Sequence, residues 1–145
     1  MSRLTVPFLG VAILAAPWFS ACDDPVPAIG TSLGQSGELQ ILYKPCSSTR
    51  TVRSVELEDS DGGTLWKIVA TRESRERTFV AGDVPPGFEA ETSLNEDLRG
   101  KRLRASVSGV GPEFFAFDDL VISKVFVVGE GNMNPEDFWA RDTCG

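Results

Sequence analysis

Ser54-Val55-Glu56-Leu57-Glu58-Asp59-Ser60-Asp61-Gly62-Gly63, followed after Thr64 by Leu65-Trp66-Lys67-Ile68-Val69-Ala70, is the stretch on which the fold turns. Val55 and Leu57 alternate with Ser54, Glu56 and Glu58. That period of two puts apolar side chains on one face of a strand and polar ones on the other. Asp61-Gly62-Gly63 supplies residues that tolerate turn geometry, and it joins two such segments. The pattern predicts a β-hairpin.

The same period recurs on both sides of this hairpin. Leu39, Ile41 and Tyr43 alternate with Glu38, Gln40 and Lys44, and Pro45 ends the run; this is the first strand. Phe79-Val80 forms a short strand, 84–88 a proline-glycine turn, and Phe88, Ala90 and Thr92 another strand. Residues 94–100 form a connection with room for one helical turn. Leu103, Ala105 and Val107 alternate with arginines and serines, as a strand with one wet face does. Gly109-Val110-Gly111-Pro112 reads as a turn, and Phe114, Phe115 and Phe117 as either a short strand or a loop capping the core. Residues 121–128 are the most continuous apolar run after the leader and are expected to form a central strand. Asn134 as N-cap and Pro135 at the first helical position start a short C-terminal helix. About seven short strands without sustained helical period define an all-β chain, an antiparallel β-sandwich or else a small barrel.

Residues 23–37 show no period and contain Pro25, Pro27, Gly30, Gly34 and Gly37, so 22–37 reads as a flexible tether and 38–145 as the domain. Upstream, Arg3 precedes an apolar run over 4–18 broken by Pro7 and Pro17, too short to span a bilayer and suited to an export signal. It ends Phe19-Ser20-Ala21-Cys22, which resembles the lipobox of bacterial lipoproteins. The resemblance implies cleavage between Ala21 and Cys22, so that 1–21 is a signal peptide. It further implies a lipid on Cys22 and an extracytoplasmic protein whose first partner is the membrane. With Cys22 consumed by the lipid, Cys46 and Cys144 are the remaining cysteines, and an oxidising compartment favours their disulfide.

Fourteen Lys and Arg stand against 21 Asp and Glu, a net charge of −7. This balance argues against nucleic acid, whose phosphates need the opposite sign, and against adhesion to anionic headgroups through a basic patch. The absence of histidine removes the commonest general base and metal ligand, and with them Ser-His-Asp, Cys-His and ordinary zinc chemistry. Asp118-Asp119 and Glu136-Asp137 are adjacent pairs suited to turns or helix starts rather than to an acid/base dyad. Asp59-x-Asp61-Gly62 lacks the remaining acids of a calcium loop and reads as a hairpin turn. No catalytic residue, metal or cofactor is expected. Trp66, Phe138 and Trp139 are foremost core residues, with a binding patch as their alternative role. The expected function is that of a non-catalytic binding or envelope-interaction module, its partner an envelope protein or glycan. A carbohydrate-active or sugar-binding protein using acidic and aromatic side chains is the alternative.

Overall fold

The first described residues already form a strand. In the computed structural model, which describes residues 28–141, β1 (Ala28–Leu33) pairs antiparallel with β2 (Leu39–Lys44), Ala28 opposite Lys44 and Leu33 opposite Leu39. The connecting turn is closed by the Gly34 N–H donating to the Glu38 carbonyl at 2.9 Å, with Gly37 at a φ of 79°. The expected tether over 22–37 is therefore corrected: residues 28–37 belong to the folded domain. Residues 1–27 and 142–145, with the leader, Ala21, Cys22 and Cys144, lie outside the described residues.

The hairpin that decided the fold class is formed by β3 (Ser54–Asp59) and β4 (Thr64–Ala70). Asp59 Oδ1 accepts the N–H groups of Asp61 at 2.9 Å and Gly63 at 3.1 Å, so the acid serves the turn. Next come β5 (Thr78–Val80), β6 (Phe88–Thr92), β7 (Arg102–Val107) and β8 (Val110–Ala116). Ser108 and Gly109, both at positive φ, join the last two in the tight turn that suits strand twist. The chain ends in β9 (Val125–Val127), β10 (Gly131–Met133) and α1 (Pro135–Ala140). One sheet runs β10-β9-β1-β2-β5 and the other β6-β4-β3-β7-β8, with every pairing antiparallel. The architecture is thus the expected all-β sandwich with a short C-terminal helix. It is not a closed barrel, and it has ten strands among the described residues where about seven were expected.

Alternation sends Ile41, Tyr43, Leu57, Trp66, Ile68, Phe79 and Leu103 into the space between the sheets, all essentially inaccessible to water. A second, smaller core lies on the outer face of the first sheet. There Phe138 of α1 packs on Leu42, Val125 and Val127, with Ala28 and Met133 at its margin. β1 is consequently buried on both faces, and Gly30 lies directly under the helix. A Cβ built there would overlap Val125 Cγ1 and stand 3.0 Å from Phe138 Cε2.

Three local expectations change. The run 121–128 is not one central strand: Val125–Val127 is a strand and Ile122 makes only an isolated parallel bridge to Leu33, while Ser123 takes a φ of 60° in a turn closed by Lys124 N–H to the Val121 carbonyl. Val121 and Ile122 are left exposed. The expected turn at 109–112 ends at Gly109, and Val110, Gly111 and Pro112 belong to β8. Residues 94–100 contain no helical turn. Of the three phenylalanines, Phe114 and Phe115 lie on β8 and Phe117 opens a short 3-10 turn over Phe117–Asp119.

At the edge of the second sheet, Glu113 stands opposite Ala105, whose side chain faces the core, so the glutamate points inward from an edge strand. An inward charge on an edge discourages pairing with another chain. Burial pushes the Glu113 carboxyl up from the ordinary glutamate value.

Replacing Gly30 by Ala is expected to destabilise the domain by about 1–3 kcal/mol through overpacking, read as a lower denaturant midpoint at unchanged slope. A neutral effect would place α1 elsewhere. Because folded Glu113 holds its proton more tightly than the unfolded chain does, its contribution is most favourable when protonated. That contribution is lost as pH rises from the usual glutamate range through the raised folded value. Glu113→Gln should therefore gain stability over the parent at pH 7 relative to the difference between them at pH 4. A gap independent of pH would remove the buried carboxylate from the account.

Candidate functional site

The three aromatic residues of the anticipated patch are not brought together on the surface. Trp66 is 0% exposed in the inter-sheet core, and Phe138 is 0% exposed beneath α1. Both take the core role expected of them first, and neither contributes to the alternative patch, as a domain this small uses its largest side chains for its core. Trp139 alone reaches solvent, at 37% exposure, edge-on to Phe138 with ring centroids 4.9 Å apart. It borders a shallow groove of about 410 Å³ beside α1 that also touches Leu42, Val125 and Pro135. A separate cleft of about 260 Å³ at the β8 edge holds Phe114, Phe126, Arg102 and Asp119. Asp118 accepts the Gly100 N–H at 3.1 Å, and Glu136 and Asp137 occupy the first turn of α1. Among the described residues no three metal-ligating side chains converge, and no helix is long and apolar enough to cross a membrane.

The chemically distinctive region was not singled out by sequence: the end of the sandwich where β1 begins and β2 ends. The segment 45–53 leaves β2 there to reach the other sheet, and 71–77 returns from β4 to β5. The two are laced together by Val52 N–H to the Ser74 carbonyl, Tyr43 N–H to the Arg77 carbonyl and Ala70 N–H to the Arg53 carbonyl, each at 2.8 Å. Arg77 is the centre of this lacing. One guanidinium nitrogen donates to the carbonyls of Arg50 at 2.7 Å and Ser48 at 3.2 Å, and the group lies 5.8 Å from the centre of the Tyr43 ring. Lys44 closes the chain end: its Nζ donates to the carbonyl of Trp139 at 2.6 Å and to that of Arg141. A cation at the carbonyl end of α1 is favourably placed.

Five arginines, Arg50, Arg53, Arg72, Arg75 and Arg77, thus crowd one end of an acidic protein, with Glu73 and Glu76 interleaved. Between the two crossings and the Ser108 turn lies a cleft of about 290 Å³ lined by Tyr43, Arg50, Thr51, Arg53, Ser108 and Val110. The Tyr43 hydroxyl is buried without a hydrogen-bond partner. Such a group costs free energy unless something fills its hydrogen-bonding capacity. At the opposite end, acids such as Asp59, Asp61, Asp97, Asp118 and Asp119 dominate the loops. Sequence could have signalled the arginine end through the cluster Arg72-Glu73-Ser74-Arg75-Glu76-Arg77. Its partners Arg50 and Arg53 come close only through the crossings.

Cys46 also sits at this end, two residues past β2, and its sulfur is held in a disulfide whose other half lies outside the described residues. No family model, curated protein or solved structure matches the chain.

Truncating Arg77 to Ala should cost about 1–2 kcal/mol, because the solvent-facing carbonyls of Ser48 and Arg50 lose a charged donor and Tyr43 loses its stacked cation. Hydrogen exchange should show 46–51 opening first. Uniform loosening of the whole domain would contradict the local role.

Proposed function

We propose that the chain is a lipid-anchored extracytoplasmic lipoprotein, its sandwich serving as a non-catalytic binding or envelope-interaction module. Processing falls between Ala21 and Cys22, the lipid is carried by Cys22, and Cys46 is bonded to Cys144. The observation that carries this reading is the Lys44 clamp on the Arg141 carbonyl. It brings the chain to within three residues of Cys144 at a point two residues from Cys46, a reach of about 10 Å for extended backbone. On this reading Cys144 is the partner that completes the Cys46 disulfide. Cys22 is left free for the thioether that the Phe19-Ser20-Ala21-Cys22 motif suggests. An odd cysteine count in an exported chain is thereby accounted for.

A sugar-active alternative would use carboxylates and aromatic rings together. The cleft with Phe114 and Phe126 offers the rings but only one acid, Asp119, where glycoside hydrolysis uses two facing carboxyl groups. The binding module is therefore the better-supported reading, and the partner is an envelope protein or glycan.

Mass spectrometry of the membrane fraction should find an N-terminal peptide beginning at a lipid-modified Cys22 and, without reduction, a peptide pair linking Cys46 to Cys144. Cys22→Ser should leave the leader uncleaved. Cys144→Ser should lower stability by about 4–5 kcal/mol, the chain-entropy figure for so long a loop. Unmodified Cys22 at a mature N-terminus elsewhere, or a Cys22–Cys46 pair, would defeat the proposal.

A further inference from the structure

We infer that the arginine-rich end of the sandwich docks on anionic phospholipid headgroups, with one headgroup phosphate seated in the cleft between Arg50, Arg53 and Tyr43. Three independent features converge there. Five arginines gather at this end of a chain whose net charge is −7, so the arrangement opposes the composition. Glu73 and Glu76 offset part of the charge, and Glu130 is already paired with Arg141. The cleft itself has the chemistry of a phosphate seat: guanidinium forks from Arg50 and Arg53 match phosphate oxygens, and the buried, unpartnered Tyr43 hydroxyl is a free donor beside them. Its volume of about 290 Å³ accommodates a phosphate with its ester carbons.

The third feature is orientation, which rests on the lipid-anchored reading. β1 begins at Ala28 opposite Lys44, at the arginine end. Residues 22–27 can span no more than about 20 Å when fully extended, comparable to the length of one strand. A lipid on Cys22 therefore holds this end, rather than the acidic one, against the headgroup layer. Within a Debye length of about 8 Å, each arginine near an anionic surface strengthens binding roughly 5-fold. The acidic far end is directed away from the same negative surface.

The test uses residues 23–145, which contain both sheets, both cores and α1 and carry no lipid. This domain should partition onto phosphatidylcholine vesicles containing about a third phosphatidylglycerol and not onto phosphatidylcholine alone, and added salt should release it. Replacing Arg50, Arg72 and Arg75 together by Gln should weaken partitioning on the order of 100-fold. The same change at Arg99, Lys101 and Arg102, at the acidic end, should leave it unchanged. Tyr43→Phe, which removes only the hydroxyl, should weaken it several-fold by taking away a donor to the phosphate. Equal partitioning onto neutral and anionic vesicles, or equal loss in the two triple variants, would overturn the docking. An unaffected Tyr43→Phe protein would overturn the phosphate seat. Because this domain lacks Cys22, the vesicle result is independent of the lipid modification, which mass spectrometry reads separately.

Discussion

A five-stranded layer that must bury both of its faces is the constraint from which the rest of this structure follows. One face of the first sheet closes the inter-sheet core; the other is covered by Phe138 of α1. Parallel strands of α/β proteins meet a two-sided burden with runs of large aliphatics, because whole helices stand off about 10 Å to make room. Here the cover is a six-residue helix at the end of the chain, lying close on β1. Close approach demands small residues beneath it, and Ala28, Gly30 and Ser32 provide them. Lys44 then holds the helix from the sheet side, since its ammonium bridges the strand end and the last helical carbonyls.

This explains which parts of the fold were legible in sequence. Strands with one wet face, such as β3 and β7, announce themselves through Val55, Leu57, Leu103, Ala105 and Val107 alternating with charged or hydroxyl residues. β1 has no wet face and no room for large side chains, so its small residues are indistinguishable in composition from a spacer. The same principle misleads in reverse at 121–128. Eight residues of largely apolar character look like a buried strand, yet Ser123 adopts positive φ and turns the chain, so Val121 and Ile122 point to solvent. Periodicity reports burial on one side; it is silent where both sides or neither is buried.

The site was less legible than the fold, for a different reason. Net charge is an average over the surface, and an acidic total argued against any basic patch. Two sheet-to-sheet crossings place Arg50 and Arg53 beside Arg72, Arg75 and Arg77, although about twenty residues and a complete hairpin separate the two groups in sequence. Trp66 and Phe138, by contrast, attracted notice as isolated large aromatics, and packing absorbed both. In a small sandwich a large aromatic side chain is worth most in the core, whereas surface charge can gather at one end because solvent screens much of its repulsion.

Segregation of charge gains its meaning from where the covalent constraints lie. The start of β1, the disulfide at Cys46 and the Lys44 clamp all occupy the arginine end, so the chain's entry and its exit from α1 are fixed at one place. Arg77 adds its own rigidity by tying 46–50 to the base of β5. The opposite end is held instead by acids that bond backbone amides: Asp59 caps the β3–β4 hairpin, and Asp118 reaches across to the Gly100 amide of another loop. These loops are not free of the core, since Leu98 and Leu120 pack into it and the crossing from β8 to β9 runs through 117–124. The cationic base thus arises from the placement of the β2–β3 and β4–β5 crossings at one end, while the acids gather in the loops of the other.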